Sequence, residues 1–331
     1  MPQRLAIFDT KPYDEESFRE ANDTYGFELT FFEPRLSKET AILAAGFEAI
    51  CLFVHDLVNA ELADTLYHHG VRLLALRSNG YNHIDLAATK DRLKVVRVPR
   101  YTPYAVAEFT VGLMLSLNRK LHLAYSRTKA NNFSLVGLQG FDMHGKTVGI
   151  IGSGLIGSIV AKLLHGFGMR VLVYDHRVNN DLIKEIDCFY TDLDTLFRES
   201  HIVSLHCPLT HETHHLINAA TIRKMRPGAL LINTSRGGLI HTHDLIDALK
   251  SKHIAGAALD VYEEEERFFF EDLSHSFIDD DTLARLMTFP NVMVSAHQAF
   301  FTKEALQEIA HTTLSNTKKF FDKTPLENEV K

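Results

Sequence analysis

The chain has 331 residues, of which 45% are hydrophobic and 23% charged, and 42 acidic against 35 basic side chains leave a formal net charge of −7. A chain of this length holds about two domains, each large enough to bury its own core. The composition excludes a disordered, collagen-like or coiled-coil protein, and the acidic balance argues against one that grips nucleic acid or an anionic membrane.

In chain order, short apolar runs at 5–8, 49–54, 73–76 and 95–98 read as buried strands, and the stretches 60–69 and 84–90 between them read as helices. Such alternation predicts a parallel sheet with helices on both faces. Pro99 and Pro103 interrupt the rhythm. A largely apolar helix is then expected from Ala105 to about Lys129, about 37 Å long at 1.5 Å per residue, which suits a domain bridge or a subunit interface. A second strand–helix series starts at Thr147, with apolar runs at 148–151, 171–174, 202–205, 229–232, 256–259 and 292–294, and a last helix covers 303–321.

Cys51, Cys188 and Cys207 are too few for a disulfide framework and lie in or near apolar runs, which fits reduced thiols of a cytosolic protein. No segment approaches the ~18 uninterrupted apolar residues of a membrane span, and the opening residues lack a secretory core. A cytoplasmic protein is expected. The count of 19 histidines is unusual.

The run ending at Ile151 passes directly into Gly152-Ser153-Gly154-Leu155-Ile156-Gly157 and then a helical pattern, and the next run ends in Asp175. The glycines permit a tight turn, close approach of backbone to a pyrophosphate and close helix–strand packing. The helix N-terminus aims unpaired N–H groups at the phosphates, and Asp175 can accept from the adenine ribose hydroxyls. In this strand–loop–helix–strand–Asp context the pattern predicts a dinucleotide site, with NAD favoured over NADP because a 2′-phosphate would meet the charge of Asp175. A glycine-rich packing turn is the plain alternative.

Ligands of open α/β sheets bind beyond the carboxyl ends of strands. Four successive strands here end in polar groups: His206-Cys207-Pro208, then Asn233-Thr234-Ser235-Arg236, then Asp260-Val261-Tyr262-Glu263-Glu264-Glu265, then Ser295-Ala296-His297-Gln298. From these a reduction of a 2-oxo acid can be assembled. Arg236 offers a bidentate fork for a carboxylate. His297 offers an imidazole, which exchanges protons near neutrality. A carboxylate beside it, Glu265 or one of its rivals Glu263, Glu264 and Glu266, would favour the imidazolium. Singly, each has a bland reading as an ion-pair partner or a solvated face. A metal centre on His206, His211, His214 and His215 is a further alternative, but its spacing departs from His-Glu-x-x-His. A polar loop explains it more simply, and no metal is expected.

These motifs, together with Arg77-Ser78-Asn79-Gly80-Tyr81-Asn82-His83-Ile84-Asp85, Val98-Pro99-Arg100-Tyr101-Thr102-Pro103 and His297-Gln298-Ala299-Phe300, resemble the D-isomer-specific 2-hydroxyacid dehydrogenases over essentially the whole chain. The residues 269–272 and 279–281 resemble the bacterial fermentative D-lactate branch. The resemblance implies two doubly wound α/β domains, a Rossmann NAD-binding domain (101–299) inserted in a flavodoxin-like substrate domain (1–100 and 300–331). It implies an Arg–Glu–His set on Arg236, Glu265 and His297, and so selects Glu265 from the acidic run. Around the substrate it implies backbone at Asn79 and Gly80, with Tyr101, Phe53 and Phe300. Around NAD it implies Gly152, Gly154, Leu155, Ile156, Gly157, Asp175, His206, Cys207, Pro208 and Thr234, with Asp260 beside the nicotinamide. The helix from Ala105 resembles the family's dimerisation helix, so a homodimer or dimer of dimers is expected. The implied reaction is reversible hydride transfer from NADH to pyruvate, giving D-lactate, with no nucleic-acid or membrane partner. Two alternatives stand beside it. One is a broader 2-oxo-acid reductase, disfavoured because Phe53 and Phe300 would crowd a long side chain. The other is an NAD-sensing corepressor-like protein, disfavoured by the acidic charge and the lack of long flanking tails.

Overall fold

The computed structural model describes residues 3–330. It divides into two compact units, one comprising the chain up to Thr102 together with the segment from Phe301 onward, the other Pro103–Phe300. The first break falls two residues later than the expected 100, because Pro103 opens a helix that belongs to the second unit. Phe300 lies in the second unit, not the first.

The first unit is a five-stranded parallel sheet of β1 (Arg4–Ile7), β2 (Glu28–Phe31), β3 (Ala49–Leu52), β4 (Leu73–Leu76) and β5 (Lys94–Val96), in the order β2-β1-β3-β4-β5. Alternate side chains leave opposite faces of a strand, and both faces here are covered. Ala6, Ile50, Leu52, Leu74 and Leu76 pack in one buried layer with Leu62 and Leu66 of helix Ala60–His68. Leu5, Ile7, Ala49, Leu73 and Ala75 pack in the other with Phe18 of helix Pro12–Asn22 and Leu314 of helix Lys303–Phe321. This double coverage is why the strands read as continuous apolar runs rather than alternating ones. β2 escapes such a reading because it is an edge strand that is partly exposed along its length.

The second unit is a seven-stranded sheet of β6 (Thr147–Ile151), β7 (Arg170–Tyr174), β8 (Cys188–Tyr190), β9 (Ile202–Leu205), β10 (Ala229–Asn233), β11 (Ile254–Leu259) and β12 (Val292–Val294), in the order β12-β11-β10-β9-β6-β7-β8. Every pairing is parallel, so all seven carboxyl ends share one edge. The strand order reverses between β6 and β9, which is where a doubly wound sheet opens a crevice for a ligand.

The single long helix expected from Ala105 to Lys129 is instead two, Pro103–Arg119 and Leu121–Lys129, because Lys120 between them is left-handed at φ 52°. Residues 139–141 account for the break. They lie so close to the first helix's end that a Cβ on Gly140 would sit 2.5 Å from the Asn118 carbonyl oxygen. The Asn118 side chain bonds both the N–H (3.0 Å) and the carbonyl (2.7 Å) of Phe141, and Lys120 Nζ donates to the Gln139 carbonyl. No glycine or proline marks this junction, so nothing local announces it. The stretch 84–90 shortens to one turn, Leu86–Thr89, capped by the Asp85 carboxylate. Among the described residues no helix is long and apolar enough to cross a membrane.

Candidate active site

The glycine-rich turn occupies the crevice where the strand order reverses. Gly152 has φ 98°, and a Cβ there would lie 2.7 Å from the backbone of His206 and Cys207 in the loop after β9. Only glycine satisfies both demands. A Cβ on Gly157 would lie 1.9 Å from the Gly152 carbonyl oxygen, so this glycine lets helix Leu155–Gly166 start hard against the turn. A Cβ on Gly154, by contrast, would meet nothing within 4 Å. The space over the helix N-terminus is open, with unpaired N–H groups facing it, as a pyrophosphate requires.

Asp175 closes this site at the end of β7. Its carboxylate accepts from the N–H (2.6 Å) and hydroxyl (2.9 Å) of Ser153 and from the N–H of Arg177 (3.1 Å). Partial burial opposes its charge, but these donors and the His176 N–H outweigh it and hold the carboxyl below its ordinary range. A charged carboxylate thus stands beside the turn, in the place a ribose needs an acceptor. The donor set and the open cradle fit a dinucleotide.

The other expected cofactor residues frame the same crevice. Leu155 is exposed and Ile156 half-buried at the helix start. His206 Nε2 pairs with Ser204 Oγ at 2.8 Å, and burial pushes its pKa down to about 4, so the ring is neutral at pH 7. Burial pushes the Cys207 thiol up to about 11, which makes it an inert wall. Pro208 is exposed, and its carbonyl accepts from Thr213. Thr234 is buried and its hydroxyl pairs with Thr110 at 2.8 Å. That side chain therefore fastens the loop to the helix beneath.

Arg236, Glu265 and His297 stand on three adjacent loops of the same edge, after β10, β11 and β12. Asn233 shapes the first loop by accepting from the Ser235 N–H and donating to the Arg236 carbonyl. The Arg236 guanidinium donates to its neighbour's carbonyl, Ser235 O, at 2.7 Å and has no ion-pair partner among the described residues. The fully buried Arg77 differs, being tied to the carbonyls of Phe8 and Asp9 and to the Asp14 carboxylate. Gly237 joins the first loop to the second: a Cβ there would sit 2.0 Å from the Tyr262 carbonyl oxygen and 2.5 Å from the Glu263 nitrogen.

His297 is held from both sides. Its ring Nδ1 bonds Glu265 Oε1 at 2.7 Å, and Glu265 Oε2 accepts from the Tyr262 N–H at 2.9 Å. The side chains of His297 and Glu265 remain 28% and 20% exposed, enough for a small molecule to reach the ring. The backbone of Ala296 and His297 is left-handed, at φ 52° and 58°, an uncommon state that the surroundings must enforce. Asp260 enforces it. Its carbonyl accepts the His297 N–H at 2.6 Å, and its carboxylate accepts from Ser295 Oγ (2.7 Å), Gln298 N (2.9 Å) and Ala299 N (2.9 Å). Burial pushes the Asp260 carboxyl up despite these donors. The residue expected beside the nicotinamide is thus a buried anchor of the histidine loop. Phe300 lies edge-on to His297, with ring centroids 6.5 Å apart, and Phe270 lies 5.9 Å from the same ring.

The remaining expected residues belong to the first unit. Phe53 follows β3; its ring lies over the Arg77 guanidinium at 4.5 Å, and its N–H donates to the buried Asp56 carboxylate. Asn79 and Gly80 follow β4. The Asn79 side chain and carbonyl both accept from Arg97, so the amide is turned to that arginine, and Ser78 Oγ donates to the Gly80 carbonyl. Tyr101 is half-buried after β5.

Sequence reasoning missed Phe270, Asn233, Gly237 and the Tyr262 N–H. Phe270 stands in the stretch 269–272, which enters only through the resemblance; the three consecutive aromatics Phe268, Phe269 and Phe270 beside an acidic run are the available signal. Gly237 stood next to Arg236 but gave no hint of which backbone it would meet.

Residues 111–299 match the family model described as D-isomer specific 2-hydroxyacid dehydrogenase, NAD binding domain. A 2-hydroxyacid dehydrogenase homolog of Zymomonas mobilis is 50% identical over 315 residues, 95% of each chain. The D-lactate dehydrogenase of Escherichia coli is 48% identical over 314 residues, again 95% of each. The solved apo-structure of D-lactate dehydrogenase from Escherichia coli superposes with a TM-score of 0.92 at 45% identity, covering 99% of this chain and 100% of that one. With a dinucleotide cradle and an Arg–Glu–His edge in one unit, and these likenesses along nearly its full length, the chain belongs to the D-isomer specific 2-hydroxyacid dehydrogenases, NAD-dependent oxidoreductases.

Proposed function

We propose that this enzyme reduces pyruvate to D-lactate, reversibly, with NADH. The observation that carries the reading is the Glu265–His297 pair at 2.7 Å, on the same strand edge as an arginine with no ion-pair partner among the described residues. When bound, NADH supplies the hydride. Arg236 grips the substrate carboxylate with two parallel N–H donors. Glu265 accepts a hydrogen bond from the Nδ1–H of His297 and orients the ring, leaving Nε2 to protonate the carbonyl oxygen as it gains charge. In the reverse direction the neutral ring takes the hydroxyl proton at Nε2. Gly152, Gly154, Leu155, Ile156 and Gly157 cradle the pyrophosphate, and Asp175 receives the adenine ribose and disfavours a 2′-phosphate. From the first unit, we assign to the substrate the backbone of Asn79 and Gly80, the Tyr101 side chain and the Phe53 ring. Phe300 and Phe270, the aromatics flanking His297, support a short substrate tail.

A panel of 2-oxo acids with NADH and NADPH tests this. Pyruvate with NADH is expected to give the highest kcat/KM, with a fall as the side chain lengthens. One methylene in an apolar pocket is worth only ~1–3 kcal/mol, so 2-oxobutyrate should still react. A clear preference for a long-chain oxo acid, or for NADPH, would contradict the assignment. We also assign the enzyme to the cytoplasm and to a homodimer, the unit from which a dimer of dimers would be built. Tyr104, Leu121, Tyr125, Phe133, Leu135 and Val136 are all more than half exposed on the two helices after Thr102 and the segment that follows them, an apolar strip of the kind that marks an interface. Sedimentation of a dimer that dissociates on Leu135→Asp and Val136→Asp substitution would support it, and a stable monomer in the unaltered chain would refute it.

A further inference from the structure

We propose that His214, His215 and Glu263 bind a borderline divalent metal ion of the Zn2+ type, with His241 as the fourth ligand, at a site separate from the catalytic set. His214 and His215 lie in the loop after β9, and Glu263 lies two residues before Glu265 but does not touch His297. One donor atom from each of the three falls within 4.8 Å of the others. Around a tetrahedral ion with bonds of about 2.0–2.1 Å, donors stand roughly 3.3 Å apart, so the set is completed by modest closure of the exposed His214 ring and by movement of the partly exposed His241 ring, which lies outside that group of three.

The rings are already gathered. His214 stacks on His215 at 3.7 Å between centroids, and His241 lies 4.8 Å from His215. His215 Nε2 sits 2.5 Å from Glu263 Oε1. The supporting groups are those a metal site uses. The second oxygen of Glu263 accepts from the Thr242 hydroxyl (2.9 Å) and N–H (3.3 Å), which orients the carboxylate. His241 directs Nδ1 at the Asp244 carboxylate, 2.9 Å away, leaving Nε2 as its donor, and Asp244 is itself fixed by the Ala219 N–H. A carboxylate behind a histidine in this way sets the tautomer and raises ligand basicity. Imidazole nitrogens and a carboxylate oxygen together suit Zn2+, Ni2+ or Cu2+ better than Mg2+ or Ca2+.

The test uses the full chain, stripped with a chelator, and Zn2+ titrated against a chromophoric competitor. One equivalent per chain is expected to compete, and it should raise the melting temperature. His214→Ala, which removes an exposed ring outside the catalytic set, is expected to weaken that equivalent about 10-fold or more, in the range seen when support of a metal site is lost, while NADH oxidation stays unchanged. His241→Ala is a second arm, with the same expected weakening. Absence of a competing equivalent in the unaltered chain would overturn the proposal. So would both variants binding Zn2+ as the unaltered chain does, or the equivalent being lost in His297→Gln and retained in His214→Ala.

Discussion

Glu265 bonds the ring of His297 through one carboxylate oxygen, at 2.7 Å, and the main-chain N–H of Tyr262 through the other, at 2.9 Å. The carboxylate is therefore a bridge between the loop after β11 and the loop after β12, and the imidazole it orients is set by backbone as well as by charge. With Nδ1 committed to Glu265, Nε2 is the ring nitrogen left to face a substrate.

His297→Gln keeps a polar side chain of similar reach but removes the transferable proton. We expect kcat to fall about 10²–10⁴-fold, the usual worth of a positioned acid–base group, with NADH affinity unchanged because the cradle at Gly152–Gly157 is untouched. Steady-state kinetics and fluorescence titration of NADH check both halves. Near-normal kcat would remove His297 from the chemistry.

Arg236→Lys preserves charge and loses the planar fork. A point charge cannot hold a carboxylate through two parallel bonds, so KM for pyruvate should rise and kcat should fall, with kcat/KM down about 100-fold, or roughly 2.7 kcal/mol. A change in KM alone would mean that Arg236 binds ground and transition states equally.

Gly237→Ala places a methyl group 2.0 Å from the Tyr262 carbonyl oxygen, and backbone on both sides must move. Overpacking of this kind costs about 1–3 kcal/mol of stability. Because the displaced turn carries Arg236 on one side and Glu265 on the other, activity should drop further than stability does. Urea unfolding and kcat/KM, measured together, distinguish this from a simple folding defect. A variant with full activity would show that the two loops need not meet so closely.

Asp56 is fully buried beneath the Phe53 turn, where its oxygens accept from the N–H groups of Leu36 and Phe53, each at 2.6 Å. Burial raises its pKa to about 6, against the pull of Arg77. The folded chain thus holds this proton more tightly than the unfolded chain, whose aspartate titrates near 3.9. Its contribution to stability is fully present below about pH 4 and is lost as pH rises through about 6. Asp56→Asn should lose a backbone acceptor and be destabilised at every pH by about 1–3 kcal/mol. The gap between wild type and variant should narrow from pH 4.5 to pH 7. A constant gap in urea midpoints would show that Asp56 does not change protonation in that range.

Much of the fold was legible because of its double-sided burial. Strands such as β4 and β9, covered on both faces, announce themselves as uninterrupted apolar runs, and the glycine turn between β6 and its helix has few other readings in that context. The edge strands β2 and β8 were not legible, since partial exposure removes the apolar signal. The break at Lys120 was hidden because its cause, the passage of Gly140 across Asn118, is a contact between segments far apart in the chain. At the candidate site the post-strand polar residues could be found by position. The acidic run 263–266 could not be resolved from spacing, because the choice of Glu265 depends on which side chain the Tyr262 N–H and the left-handed turn at Ala296 and His297 bring to the ring. The same run holds Glu263, which turns the other way, toward His215 and Thr242.

We assign proton delivery to His297, positioned by Glu265, and carboxylate binding to Arg236, as NADH reduces a 2-oxo acid on one face. The most direct measurement incubates the purified chain with NADH and pyruvate and follows both NADH loss and the handedness of the lactate formed. One D-lactate is expected for each NADH oxidised, with the rate about 10²–10⁴-fold lower in His297→Gln. NADH binding without turnover, or formation of L-lactate, would contradict it.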